Sequence, residues 1–444
     1  MLGVFLACAV LLGSDATPAE DSALVARLGS PRFAERESAE AALLGRGRSA
    51  LQALRAAADH RDVEVRVRVA ALLRQVERSL VLQATPVRLD FRDVPLGEVL
   101  RRVHERSDLN FAVASQDDPS WSGRRVTLEG PTPLPFWAAV DRLCEAGRLR
   151  FQPGSPPIPG QRDDAFVLQD EPAAGVDFVS DSGPFRAQLA SIAYQSEVLL
   201  GRPRPIPAGP SGDGRPERQM YCQLVVAAEP RLAITQDGPV RLLEAVDERG
   251  QSLIPSGVSA TLSHSSAYFG MNPTPLVRLR VDLARPDEPG RRIARFRGVV
   301  PMMVSARKPA PLVVPLSAPA GRVHRNEDVA LVVREVRLAR GDQPAAIELA
   351  LSPSQDQAPT RDDDQPDQIP SSTDVPQQQI EVLDARGNSL AWFPSATRYS
   401  GRETRLTLTV PSQGSPALPA TIRYHGITRV STEVGFEFRD VPMP

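Results

Sequence analysis

Between Val87 and Gln169 a short strand pattern followed by an amphipathic helical stripe occurs twice, and this doubling constrains the fold more than any other stretch of the chain. Val87, Leu89 and Phe91 alternate with Arg88 and Asp90, the period of a half-buried strand. After Asp93-Val94-Pro95 the period changes, and Leu96, Val99, Leu100 and Val103 follow at helical spacing, with Pro95 expected in the first turn, where its missing N–H has no intrahelical partner. Leu109 to Val113 returns to strand period. The second copy runs through Val126-Thr127-Leu128, Pro133-Leu134, and a stripe of Phe136, Trp137, Val140, Leu143 and Cys144. Leu149-Arg150-Phe151 and Ala165 to Leu168 close it. The pattern reads β-α-β-β-α-β: one small sheet with both helices on one face.

Val94-Pro95-Leu96, Leu109-Asn110-Phe111, Pro133-Leu134 and Leu149-Arg150-Phe151 resemble the short N-terminal domain shared by secretins and TonB-dependent receptors. Under a fifth of the chain is covered. The resemblance implies an envelope-located, non-catalytic interaction module at residues 83–172. No barrel or pore segment follows it here, so a channel role is not among its implications.

A length of 444 residues leaves room for three or four domains with their own cores. The formal net charge of −2 argues against binding to nucleic acid. All but Lys308 of the 52 basic residues are arginine, in every region alike, which reads as coding bias rather than as a binding surface. The 43 prolines punctuate the chain into modules.

Leu2 to Gly13 is an apolar run followed by Ser14-Asp15-Ala16, a small-x-small site, so residues 1–19 are expected to be a signal peptide. The run is shorter than the roughly 20 apolar residues a membrane-spanning helix needs. It lacks the usual positive charge near Met1, and Cys8 offers a lipoprotein alternative. The expected location is exported, periplasmic or extracellular, with membrane contact only through a partner. Cys144 and Cys222 would remain, and without Cys-x-x-Cys or Cys/His spacing they read as lone buried thiols.

Residues 20–82 are helical in pattern. Leu24, Val25 and Leu28 make one stripe; Phe33, Ala41, Leu43 and Leu44 a second; Leu51, Leu54 and Ala57 a third. The fourth helix opens at Asp62 as N-cap and carries Val65, Val69 and Leu72 as its buried face. Asp62 to Leu73 is similar to the second helix of HEAT repeats. Two helix pairs are fewer than a free-standing solenoid needs, so the segment is expected to pack on its neighbour or serve as a docking platform.

Beyond Asp170 only short alternating runs remain, separated by Pro, Gly and Asp. Val246-Asp247-Glu248-Arg249-Gly250-Gln251-Ser252-Leu253 recurs as Leu383-Asp384-Ala385-Arg386-Gly387-Asn388-Ser389-Leu390, and Ala294 to Val299 recurs as Ile422 to Ile427. Each copy also ends in a proline-exited strand, Pro311 to Leu316 and Phe436 to Pro442. Two tandem sandwich-like β-domains are therefore expected at 173–320 and 321–444. Gly201 to Arg218 and a segment of about 353–379 are too polar to bury a core, and the second is expected to be a disordered loop. The overall expectation is a multidomain α+β chain: HEAT-like helices, a small α/β domain, then two all-β domains.

The search for chemistry is nearly empty. The five histidines are scattered singly, and no nucleophile elbow, Walker loop or Rossmann glycine loop occurs. Asp362, Asp363 and Asp364 are weak Ca²⁺ candidates, since Pro366 interrupts the spacing and the glycine and glutamate of an EF-hand are missing. No cofactor is expected. The repeated Asp-x-Arg-Gly reads first as a hairpin turn with Gly supplying φ > 0; a binding reading would bring Arg249 and Arg386 to one groove. Trp121, after Asp117 and Asp118, reads first as a partly buried residue beside a polar hairpin, with a carboxylate and sugar-stacking platform as the alternative, and Trp392, Phe393 and Tyr399 read as a candidate stacking surface. The preferred expectation is an exported envelope interaction or scaffold protein without catalytic activity, with an envelope protein as partner. A carbohydrate-binding protein and a hydrolase of unrecognised type are the alternatives.

Overall fold

The structure is a computed structural model that describes residues 18–107, 111–113, 121–130, 132–152, 166–170, 178–197, 217–255, 275–286, 288–339, 343–354, 379–401, 403–411 and 418–444. The chain divides into two compact units, Met1–Gln83 and Ala84–Pro444.

The first unit holds helices α1 (Pro18–Arg27), α2 (Phe33–Arg46), α3 (Leu51–Ala56), preceded by a 3₁₀ turn, and α4 (Val63–Leu82). Asp62 caps α4, its carboxylate accepting from the Glu64 N–H at 2.9 Å, and Val65, Val69 and Leu72 are buried. Their partners are Val25, Leu28, Ala39, Leu43 and Leu54. Two positions differ from expectation: Phe33 is 64% exposed and Ala41 is exposed, whereas Ala39 is buried. Phe33 opens its helix, and there the guanidinium of Arg36 lies 5.7 Å from the ring instead of a core wall.

The helix pairs repeat a backbone device. Arg36 donates to the Ser30 carbonyl at 2.7 Å, and thirty residues on Arg66 donates to the His60 carbonyl at 2.7 Å. Each arginine thereby ties the start of its helix back to the turn before it. Arg36–Glu64 at 3.4 Å and Arg68–Glu40 at 3.1 Å then link α2 and α4 in parallel alignment.

The second unit begins with β1 (Pro86–Val87), β2 (Phe91–Pro95), α5 (Leu96–Ser107), β3 (Phe111–Val113), β4 (Arg125–Leu128), β5 (Leu134–Pro135), α6 (Phe136–Gly147), β6 (Leu149–Gln152) and β7 (Phe166–Asp170). Leu96, Val99, Leu100 and Val103 of α5 and Phe136, Trp137, Val140, Leu143 and Cys144 of α6 share one buried core. The single sheet expected here is instead three short ladders, β1–β5, β2–β4 and β3–β7–β6, with β3 and β7 parallel. Pro95 ends β2 rather than opening α5, because it sits opposite Arg125 at a position that needs no N–H donor.

The remaining strands are β8 (Phe178–Ser182), β9 (Phe185–Glu197), β10 (Glu217–Ala228), β11 (Leu232–Gln236), β12 (Arg241–Asp247), β13 (Leu276–Leu283), β14 (Arg292–Arg307), β15 (Leu312–Pro315), β16 (Val323–Arg325), β17 (Val329–Arg337), β18 (Ala345–Pro353), β19 (Ile380–Asp384), β20 (Ser389–Leu390), β21 (Phe393–Ser400), β22 (Glu403–Val410), β23 (Pro419–Tyr424) and β24 (Ile427–Pro442). They form four sheets: β13–β10–β9–β8; β14 flanked by β11 and β12 on one edge and β24 on the other; β15–β23–β19–β20; and β16–β17–β18–β22–β21. The last two share one core through Val314, Leu331, Ile347, Val382, Leu406 and Ile422. The loop expectation for about 353–379 falls almost wholly outside the described residues, as does most of Gly201 to Arg218.

Strand pairing crosses residue 320 in both directions. β24 pairs along the whole of β14, from Arg292 opposite Pro442 to Arg307 opposite Ile427, whereas β15 joins β23 in the third sheet. The two proline-exited strands are therefore not equivalent: one is a four-residue edge strand and the other the end of a long ladder.

The repeated turns do match. Asp247 accepts from the backbone N–H of Arg249 (2.9 Å) and Gln251 (2.8 Å), and Asp384 from Arg386 (2.8 Å) and Asn388 (2.8 Å). Gly250 and Gly387 follow at φ +79° and +85°, a conformation that favours glycine.

The α/β segment is joined to the first sheet by buried polar groups. Trp137 donates through Nε1 to the Pro184 carbonyl at 3.1 Å. The buried guanidinium of Arg186 is bidentate to Asp141 on α6 (2.6 and 2.6 Å) and to Asp181 (2.7 and 2.8 Å), and lies 4.8 Å from the Trp137 ring. Burial works against its charge, but the hydrogen bonds to Asp181 and Asp141 win and raise its pKa. Glu229, fully buried, accepts from the N–H of Thr85 at 2.8 Å and from Arg231 at 2.8 Å.

Candidate functional site

The chain segments 86–95 and 125–135 run antiparallel, but their ladder opens in the middle. Val87 pairs with Leu134 at one end and Phe91 with Leu128 at the other. Between these pairs one segment has three residues, Arg88 to Asp90, and the other has five, 129–133, among them prolines, which supply no N–H to a ladder. A cleft of about 460 Å³ is lined by residues of both segments. Leu89, Leu128 and Leu134 floor it, and the flank of α6, with Arg142, Glu145 and Ala146, forms its other wall.

Its rim is charged. Glu129 pairs with Arg92 at 3.0 Å, and Arg142 approaches Glu145 at 3.9 Å. All four side chains are more than half exposed, so these ion pairs contribute little to stability and are available to a ligand. Thr127 and Thr132 add hydroxyls to the lining. An apolar floor with a few polar groups at the mouth is the general form of a binding cleft. Below the rim, β4 is held to β2 through a bulge at Asp93, whose φ is +49°. The Asp93 N–H donates to Thr127 Oγ1 at 3.1 Å, and Arg125 bonds the Asp93 carboxylate at 2.6 Å, holding it below the usual carboxylate range.

The residues singled out from sequence lie elsewhere. Trp121 is half-buried against the α/β core, and its turn caps α5, since Gly97 and Leu96 donate to the carbonyls of Ser122 (3.0 Å) and Arg124 (2.7 Å). Arg249 and Arg386 sit on hairpin turns of two different sheets. The Arg249 guanidinium turns to Glu288, 3.6 Å away, so the two arginines are not brought together by any contact among the described residues. Trp392 packs against the core shared by the last two sheets. Phe393 lies opposite Thr409 and Tyr399 opposite Thr404, and a bulge between Pro394 and Ala396 changes the alternation. Thr404 and Thr409 are an odd number of residues apart on one strand, which puts Phe393 and Tyr399 on opposite faces and divides the expected stacking surface. Asp362, Asp363 and Asp364 lie outside the described residues. Among the described residues, no three His, Cys, Asp or Glu side chains gather as a metal site would require. Burial pushes the Cys222 thiol up to about 12, and Cys144 is also a buried thiol.

Sequence reading passed over the cleft because its signal, Gly130-Pro131-x-Pro133, looks like ordinary loop punctuation. No protein-family model, curated protein or solved structure matches the chain.

Proposed function

We propose that the chain is an exported cell-envelope interaction protein, non-catalytic, whose α/β segment docks a protein partner in the cleft between β4, β5 and α6. The cleft itself carries this reading: an apolar floor opened by an interrupted ladder, with charges at its mouth held only by exposed ion pairs. Export rests on the apolar run Leu2 to Gly13 and its small-x-small site. Among the described residues no helix is long and apolar enough to cross a membrane.

The finer architecture belongs to the same proposal. The thirty-residue spacing of the two arginine-tied helix pairs supports a HEAT-like segment. The two buried helices over short ladders support the likeness to the secretin and TonB-receptor module. The core shared between the last two sheets supports a sandwich for the C-terminal part.

The test compares the full chain with Ala146→Trp, which places a bulky ring in the cleft from an exposed helix position. Both are used as bait in envelope extract, and retained proteins are quantified. A partner kept by the wild type and lost by the variant supports the reading; identical retention by both rejects it. N-terminal sequencing of the protein recovered from the envelope fraction tests export: a chain still beginning at Met1 in the cytosol would remove it.

A further inference from the structure

Residues 312–424 hold the last two sheets around a core of their own, and among the described residues no strand of those sheets pairs with a strand outside them. The chain enters them from β14 through Lys308-Pro309-Ala310-Pro311 and leaves them for β24 through His425-Gly426. The two crossings lie side by side. The Lys308 N–H donates to the Gly426 carbonyl at 2.7 Å, and the His425 N–H to the Gln379 carbonyl at 2.7 Å. They make a joint between two β-halves, and the side chains around it decide how firmly it is held.

Both nitrogens of the His425 ring face oxygen acceptors at this joint. Nδ1 stands 3.4 Å from the Lys308 carbonyl, and Nε2 stands 3.5 Å from the Glu381 carboxylate on β19. Nε2 is shielded from solvent and has no hydrogen-bond partner among the described residues. A neutral imidazole carries one N–H, so either tautomer sets a nitrogen lone pair against an oxygen. Only the imidazolium has a donor for each. Arg307 at the end of β14 bonds the same carboxylate at 2.9 Å, and Arg423 on β23 stands 4.0 Å from it; both guanidiniums oppose a further positive charge. They are 40% and 44% exposed, whereas His425 and Glu381 are 15% and 18% exposed, so water screens the repulsion more than the attraction. The Lys308 ammonium is held by Asp328 at 2.7 Å and Glu327 at 3.0 Å. Arg429 on β24 acts on Tyr424, whose phenol burial pushes up to about 12 and so keeps neutral.

We propose that the joint is a proton-operated clasp: a proton taken up by His425 from solvent lets the ring bridge the Lys308 carbonyl and Glu381, fastening the C-terminal sheets to the β14–β24 ladder. The rigidity of the joint then follows the acidity of the surroundings. The clasp is independent of the cleft and of the docking reading.

The test reads amide hydrogen exchange on the full chain by mass spectrometry, each rate being divided by that of an unstructured peptide at the same pH. Between about pH 5.5 and about pH 8, above the ordinary range of carboxylates and below that of lysine, His425 is the group at the joint that changes charge. Peptides covering Lys308 and His425 are expected to exchange roughly tenfold slower at the acid end, the worth of one charge-assisted hydrogen bond, with the protection lost as pH rises. His425→Gln and Glu381→Gln are each expected to remove this pH dependence, whatever they do to the level of exchange. β18, inside the C-terminal core, is the internal reference. No pH dependence at the joint, or one that survives either substitution, would overturn the clasp; so would a change of equal size in β18, which marks general unfolding.

Discussion

Replacing Arg186 by alanine is expected to loosen α6 from the first β-sheet. The side chain is 3% exposed, makes four hydrogen bonds of 2.6 to 2.8 Å to two carboxylates, and lies against the ring of a fully buried tryptophan. Removing one partner of a buried ion pair costs about 3–5 kcal/mol where the other charge stays buried. Here Asp141 and Asp181 are 53% and 38% exposed, so water takes up much of what the arginine releases. What remains is the lost packing and cation–π contact with Trp137, about 1 kcal/mol, and the loss of the bidentate geometry, so the net is about 2–3 kcal/mol. Amide hydrogen exchange, read peptide by peptide, isolates this part of the chain. Residues 136–147 of Arg186→Ala are expected to exchange roughly 30- to 150-fold faster, while α4 in the other unit is unchanged. Arg186→Lys keeps the charge but not the fork and should lie between. Exchange in α6 within about threefold of wild type would refute the clamp.

Gly298 lies opposite Phe436, and a Cβ there would come within 2.6 Å of that ring and 2.7 Å of the Arg241 carbonyl; Gly298→Ala is expected to destabilise the second sheet by about 1–3 kcal/mol, measured by the denaturant midpoint. Burial alone would raise the pKa of Asp247, but backbone N–H groups of Gln251, Gly290 and Arg249 hold it low. Its folded value is depressed, so its stabilisation is present above the unfolded pKa of about 3.9 and is lost as pH falls through the folded one. The stability gap between wild type and Asp247→Asn should therefore be full near neutrality and narrow below about pH 4, as followed by urea titration across pH. On α4, Val67→Glu should change stability by no more than about 0.5 kcal/mol and Val65→Ala should cost about 2, because Val67 is 64% exposed and Val65 is buried; thermal melts of the two variants check this.

Much of the local structure was legible from residue spacing. Leu96, Val99, Leu100 and Val103 form a helical stripe because the helix repeats every 3.6 residues, and no distant partner is needed to see it. The Asp247 and Asp384 turns were equally readable, since an aspartate that accepts its own backbone N–H two residues on, followed by a glycine at positive φ, is a local bargain. Phe33 was misjudged because a first-turn residue need not face the core of its helix. The stacking surface was misjudged because one bulge in β21 changes which face each later residue occupies. The cleft was not legible: a three-residue stretch had to be set against a five-residue one before the missing ladder bonds showed.

The sequence by itself determined where helices and strands form and which side of each helix is apolar, because those patterns depend on contacts a few residues apart. Only the tertiary structure decided that β24 returns to pair along β14, that Arg186 reaches Asp141, and that the ladder beside β4 opens into a cleft. Backbone hydrogen bonding between strands carries no residue label, so nothing in the spacing of apolar residues says which distant strand will supply the partner, or where one is left without.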